Sequence, residues 1–171
     1  MYSLNVPVPG RVSALATDLA AAWPSARART REDHTLVVKR LGTGDRDAYH
    51  RLEARAREAL RGTPAFEARV TGVDAFEAPA DGAAPVVYLV VESPGLAALH
   101  RELCATFDPV EGVEGDDYVP HVTVARGGSA SGAQQLVARE VDPIEWTVTD
   151  LVFYDAERTE SVSRVSLPQP R

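Results

Sequence analysis

The sequence predicts a two-lobed mixed fold, α/β in composition and α+β in layout, built by internal duplication. Three observations predict it. Strand-like and helix-like stretches alternate along all 171 residues without a long linker or low-complexity tract. Two near-copies of one pattern, a histidine leading a β-branched run that ends in a basic residue, begin at His34 and His121, 87 residues apart (121 − 34). Each copy then enters a Gly-containing loop, Leu41-Gly42-Thr43-Gly44 or Gly127-Gly128-Ser129-Ala130, and a helix-forming stretch. The expected organisation is one two-lobed domain over 1–171, its lobes related by an approximate two-fold axis.

Each element has a local cause. Tyr2 to Val8 alternates apolar and polar residues and meets Pro9-Gly10, a strand and a turn. Val12, Leu15, Leu19 and Trp23 recur at helical spacing until Pro24. A strand is expected over 34–41. Asp45 caps a helix over about 46–61 that closes at Gly62. Residues 66–76 read as β structure with a bulge at Gly72. The continuous run Val86-Val87-Tyr88-Leu89-Val90-Val91 marks a strand buried on both faces. Ser93-Pro94 starts a helix carrying Leu96, Leu99, Leu103 and Phe107. An acidic loop over 108–117 precedes a strand over 119–125 and a short helix from Ser131. Strands over 144–154 and 162–167 finish the chain as a hairpin.

Composition narrows the function. Net charge is −7, against a broad nucleic-acid-binding surface. Lys39 is the only lysine beside 17 arginines, and Arg27, Arg29, Arg31, Lys39 and Arg40 flank the first histidine strand, so a small anion could be held there. No apolar run is long enough to cross a membrane, and the start lacks a signal-peptide pattern. A cytoplasmic location and a monomer without membrane contact are expected. Cys104 reads as a buried thiol, and His50 and His100 as surface histidines on helices.

In a strand, residues i and i+2 share a face, so His121 and Thr123 point the same way. A histidine beside a hydroxyl can move a proton and bond a phosphoryl oxygen. Two such strands would set two histidines on opposite sides of one phosphorus, one taking a proton from the attacking oxygen and one protonating the leaving oxygen. No metal-ligand spacing is present, and neither metal nor cofactor is expected.

The run Tyr118-Val119-Pro120-His121-Val122-Thr123-Val124-Ala125-Arg126 resembles the second signature of the two-histidine phosphoesterase superfamily, most of all its 2′-5′ RNA ligase and cyclic phosphodiesterase branch. The resemblance implies two antiparallel-rich sheets flanking a central cleft, helices outside, and metal-independent action on 2′,3′-cyclic phosphates or 2′-5′ linkages of RNA ends or small cyclic nucleotides. It implies His34 and His121 as the proton-transfer pair and Thr123 as a phosphate contact. Thr35, Lys39, Arg40, Tyr118 and Arg126 complete the expected substrate-binding set. The departure is Leu36, which stands two residues after His34 where the pattern carries a hydroxyl. A regular strand would turn Leu36 to the cleft and Thr35 away; a bulge would do the reverse. The regular strand is the expectation, and a non-catalytic or weakly active phosphate-binding cleft is the alternative function.

Overall fold

The computed structural model describes residues 1–170. Nine strands form two sheets. They are β1 (Tyr2–Pro7), β2 (Arg27–Ala28), β3 (Thr35–Gly42), β4 (Phe66–Phe76), β5 (Val86–Glu92), β6 (His121–Arg126), β7 (Ile144–Val148), β8 (Asp150–Asp155) and β9 (Glu160–Ser166). The helices are α1 (Gly10–Ala21), α2 (Arg46–Ala59), α3 (Pro94–Cys104) and α4 (Ala130–Val137). The first sheet runs β3-β1-β8-β9 and the second β2-β6-β5-β4-β7, every pairing antiparallel. Apart from the short edge strand β2, the sheets correspond strand for strand: β3 with β6, β1 with β5, β8 with β4, β9 with β7. The two-lobed duplicated fold expected from the sequence is present.

Local signals act where they stand in the chain. The Asp45 carboxylate accepts from Ala48 N–H at 2.9 Å and starts α2; the Ser93 hydroxyl accepts from Leu96 N–H at 3.1 Å and starts α3. β4 bulges between Val70 and Gly72, as the glycine suggested. Two boundaries differ from expectation. The stretch 144–154 is two strands broken at Thr149, and they join different sheets, β7 beside β4 and β8 beside β1. Hydrophobic pattern cannot show this, because a strand changing sheets keeps its alternation. Two-residue β2 is too short to leave a periodic signal.

The strand β3 is an edge of its sheet, and the second lobe covers that edge. Tyr118 Oη donates to the Val37 carbonyl at 2.7 Å, and His100 Nδ1 donates to the Val38 carbonyl at 2.7 Å. Glu114 accepts from Arg40 N–H at 2.8 Å. β3 and β6 therefore lie side by side, one from each sheet, at the junction of the lobes.

Candidate functional site

The site rests on these two strands. In β6, His121 and Thr123 are half-buried, Val122, Val124 and Ala125 buried, and Arg126 half-buried. In β3 the same order holds: Thr35 and Val37 half-buried, Leu36, Val38 and Lys39 buried, Arg40 half-buried. Each strand also carries its irregularity at the same step. Asn5 and Leu4 pair with Val37 and Lys39, skipping Val38; Tyr88 and Val87 pair with Thr123 and Ala125, skipping Val124. The bulge resets the alternation, so Arg40 and Arg126 return to the open face. Thr35 thus corresponds to His121, Val37 to Thr123 and Arg40 to Arg126, an offset of 86 (121 − 35) rather than 87.

This corrects the first-lobe reading. Leu36 is fully buried in the core and Thr35 faces the open side, the reverse of the expected regular strand. No bulge at His34 is needed, because the strand starts one residue later, at Thr35. His34 ends a short 3₁₀ turn, Arg31–Asp33, and is 5% exposed, beside the strand end rather than opposite His121 in the duplicated frame. Neither ring nitrogen makes a hydrogen bond of good geometry among the described residues, although the Arg29 backbone lies close to the ring. Burial lowers its pKa below the ordinary value, outweighing the Asp33 carboxylate, the Arg29 backbone and the Glu32 carboxylate.

His121 is well defined. Its Nδ1 lies 2.7 Å from the Val119 carbonyl, so Nδ1 carries the proton and donates, leaving the Nε2 lone pair free. The ring stands edge-on to Tyr88 and Phe76, whose own rings stack with centroids 4.2 Å apart. Burial lowers the His121 pKa; the Val119 bond opposes this, and the Arg40 and Arg126 guanidiniums add to the lowering. The imidazole is therefore neutral near pH 7 with Nε2 able to accept a proton, and the Arg40 and Arg126 guanidiniums lie near enough to act on it.

Of the other expected residues, Lys39 and Tyr118 are corrected. Lys39 is fully buried, 2.5 Å from Glu114 Oε2, and donates also to the Arg40 and Asp108 carbonyls. It anchors the 108–117 loop; a side chain without solvent contact is no ligand for substrate. The Tyr118 hydroxyl caps β3 and its ring stacks on His100 at 3.7 Å. Burial, then Glu114, pushes its pKa up. His100 is not a surface residue but 1% exposed: besides donating to Val38, it accepts from Gly115 N–H at 3.0 Å through Nε2. Cys104, half-buried, has its sulfur 3.5 Å from that Nε2. His50 is exposed on α2.

The sequence reading missed Asn5. It is fully buried, its side-chain oxygen and nitrogen lack partners, and the Thr35 hydroxyl nearby is also unpartnered. Asn5 pairs with Val37, so it shares the face of Thr35 and Val37. His34 and Thr35 line one cavity of about 240 Å³ with Arg31, Tyr154 and Ser161. Each unsatisfied buried polar group costs about 1–3 kcal/mol, so their gathering marks the first-lobe side of the cleft as built for polar contact. The sequence carried little signal for it, because Asn5, like Ser3, falls on the polar phase of an alternating strand.

No described helix is long and apolar enough to cross a membrane. No curated protein matches the sequence. Among solved structures the fold is similar to TT0787 of Thermus thermophilus, with TM-score 0.65, 19% identity and 99% of each chain covered. It is similar also to E. coli LigT complexed with NADP+, with TM-score 0.68, 18% identity and 98% of this chain against 97% of that one. LigT complexed with 3′-AMP gives TM-score 0.64 and 20% identity, with 98% of each chain covered. At such identities the likeness speaks for the fold. A family model adds the sequence-level match that these comparisons lack: it covers residues 13–160, both matched strands included, and this chain belongs to the 2′-5′ RNA ligase superfamily.

Proposed function

We propose that the cleft binds a phosphate ester at an RNA end, a 2′,3′-cyclic phosphate or a 2′-5′ linkage, and that His121 is its one proton-transfer residue. Thr123 and Arg40 hold the phosphoryl oxygens. The observation that carries this reading is the match of β3 to β6, with a histidine and hydroxyl on one strand and Thr35 and Val37 on the other. The solved structures of LigT with 3′-AMP and with phosphate support a nucleotide-end ligand for a fold of this shape.

In hydrolysis of a cyclic phosphate, neutral His121 Nε2 takes a proton from water as its oxygen bonds to phosphorus. The bond from phosphorus to the 2′ or 3′ oxygen breaks, and that oxygen gains its proton from solvent. Ligation is the same path with a ribose hydroxyl in place of water, and its reverse cleaves the linkage back to the cyclic phosphate. The expected consequence of the missing second histidine is slow turnover with retained binding, since one general acid contributes about 10²–10⁴-fold. Proton transfer and hydrogen bonding need no metal, so turnover should persist in excess chelator.

A second reading has one observation in its favour. His34, with neither ring nitrogen in a hydrogen bond of good geometry, lines a cavity with Thr35, so it could reach the phosphate from beyond the strand end and act as the second proton carrier. Turnover of an RNA ending in a 2′,3′-cyclic phosphate separates the two. With one histidine, His121→Ala loses at least a hundredfold and His34→Ala stays within about threefold; with two, both lose at least a hundredfold. Full activity in His121→Ala would sink both readings.

A further inference from the structure

The edge strand β2 has no counterpart in the first sheet, and it brings arginines to β6. Arg27 pairs directly with Arg126, and Arg29 N–H donates to the Val124 carbonyl at 2.9 Å, continuing the ladder. Cross-strand partners share a face, as do residues i and i+2. Arg27, Arg29 and Arg126 accordingly line one cavity of about 290 Å³, with Ala28, Thr30 and Asp33.

Like charges directly opposite one another are unfavourable unless an anion lies between them, and the acids at hand are few. Asp33 accepts the Thr30 hydroxyl at 2.9 Å. Asp81, almost fully exposed, stands 3.9 Å from Arg126 Nη1, which also reaches the Asp81 carbonyl at 3.4 Å. Arg126 Nε is buried without a partner, and Arg27 and Arg29 make no side-chain hydrogen bond or ion pair among the described residues. Three arginines against Asp33 and Asp81 leave a local formal charge of +1 (3 − 2) on a chain of net −7. Arg126 lies three residues beyond Thr123 on β6, about 10 Å at roughly 3.3 Å per residue.

We infer that this arginine row is a second anion site that takes the phosphodiester next to the one at His121, so that the ligand is a single-stranded oligonucleotide end rather than a mononucleotide. The inference rests on the His121 cleft as the first phosphate site. It uses β2 as an added rail: the cleft fixes the terminal phosphate and the row fixes the following one.

Binding of two probes that cannot turn over tests it: 3′-AMP, and a tetra-adenylate ending in a 3′-phosphate. The wild-type protein should bind the tetra-adenylate at least tenfold more tightly. Arg27→Ala combined with Arg29→Ala, both exposed positions, should abolish that advantage and leave 3′-AMP affinity within twofold. The salt dependence of tetra-adenylate binding should flatten by about 0.7 in log–log slope, the value for one phosphate contact on a single strand. Equal wild-type affinity for the two probes would overturn the arginine row alone, as would a double variant that weakens both probes alike. Binding of neither probe would remove the His121 site and the row with it.

Discussion

The strands β3 and β6 are one design carried out twice. They share the order of buried and half-buried residues, the bulge at the fourth position and an arginine at the sixth. They differ in what the shared positions hold. β6 presents His121 and Thr123, whereas β3 presents Thr35 and Val37; at the fifth position β6 has Ala125, and β3 has Lys39 buried against Glu114. The lesson is that the fold fixes where side chains point and leaves their chemistry free. One lobe keeps a histidine and a threonine on its open face, and the other is tied by a buried ion pair to the 108–117 loop.

The largest test of this asymmetry is kinetic. His121→Ala should lower turnover of a 2′,3′-cyclic phosphate by about 10²–10⁴-fold. Thr35→Ala at the matching position should cost no more than about tenfold, the worth of one hydrogen bond. Equal losses would make the strands functional equals. Next comes the fifth position. Glu114→Ala strands the Lys39 charge in the core and should destabilise the protein by about 3–5 kcal/mol, read from urea unfolding. A loss below about 1 kcal/mol would show that Lys39 reaches solvent.

Smaller effects sharpen the phase of β3. Leu36→Thr buries a hydroxyl with no partner in view and should cost about 1–3 kcal/mol, with turnover nearly unchanged. A gain in turnover without destabilisation would put Leu36 in the cleft. The least is a pH effect. His34 and His121 both have lowered folded pKa values, each chiefly through burial. Between the folded and unfolded values the unfolded chain binds more protons, so this stability is fully present above about pH 6.5 and is lost as pH falls through the lowered values. Urea midpoints between pH 7.5 and 5 should fall, and His34→Ala or His121→Ala should each flatten the curve. Glu114 acts lower still. Burial raises its pKa, but hydrogen bonds from Lys39 and the Arg40 and Val110 N–H groups win and hold it below the usual value. Its contribution disappears only in acid.

Much of the fold was legible because its signals are local. Asp45 and Ser93 cap their helices, Gly72 adjoins its bulge, and the apolar run from Val86 fills a central strand. The second-lobe site was legible too, since His121 and Thr123 alternate with buried valines. The first lobe was misread by one residue. His34 offered the right chemistry, and period-two alternation cannot say which parity faces the core when Thr35, Leu36, Val37 and Val38 are all compatible with burial. Neighbours decide it: Asn5 pairing with Val37 and the second lobe covering the edge of β3 set the phase. Those are long-range contacts with no trace in the local pattern. The same holds for Lys39 and His100, charged or polar residues whose buried partners lie 75 and 62 positions away.

The central claim is that Thr35 and Val37 stand where a second histidine and hydroxyl would complete the cleft. Turnover of an RNA end bearing a 2′,3′-cyclic phosphate by the double variant Thr35→His with Val37→Thr measures it directly, with thermal unfolding to show the variant is folded. The account predicts a rise of at least about tenfold over wild type, from a restored general acid, and a pH profile that becomes bell-shaped. A folded variant with turnover at or below the wild-type value, alongside a hundredfold loss in His34→Ala, would contradict it and return the second catalytic role to His34.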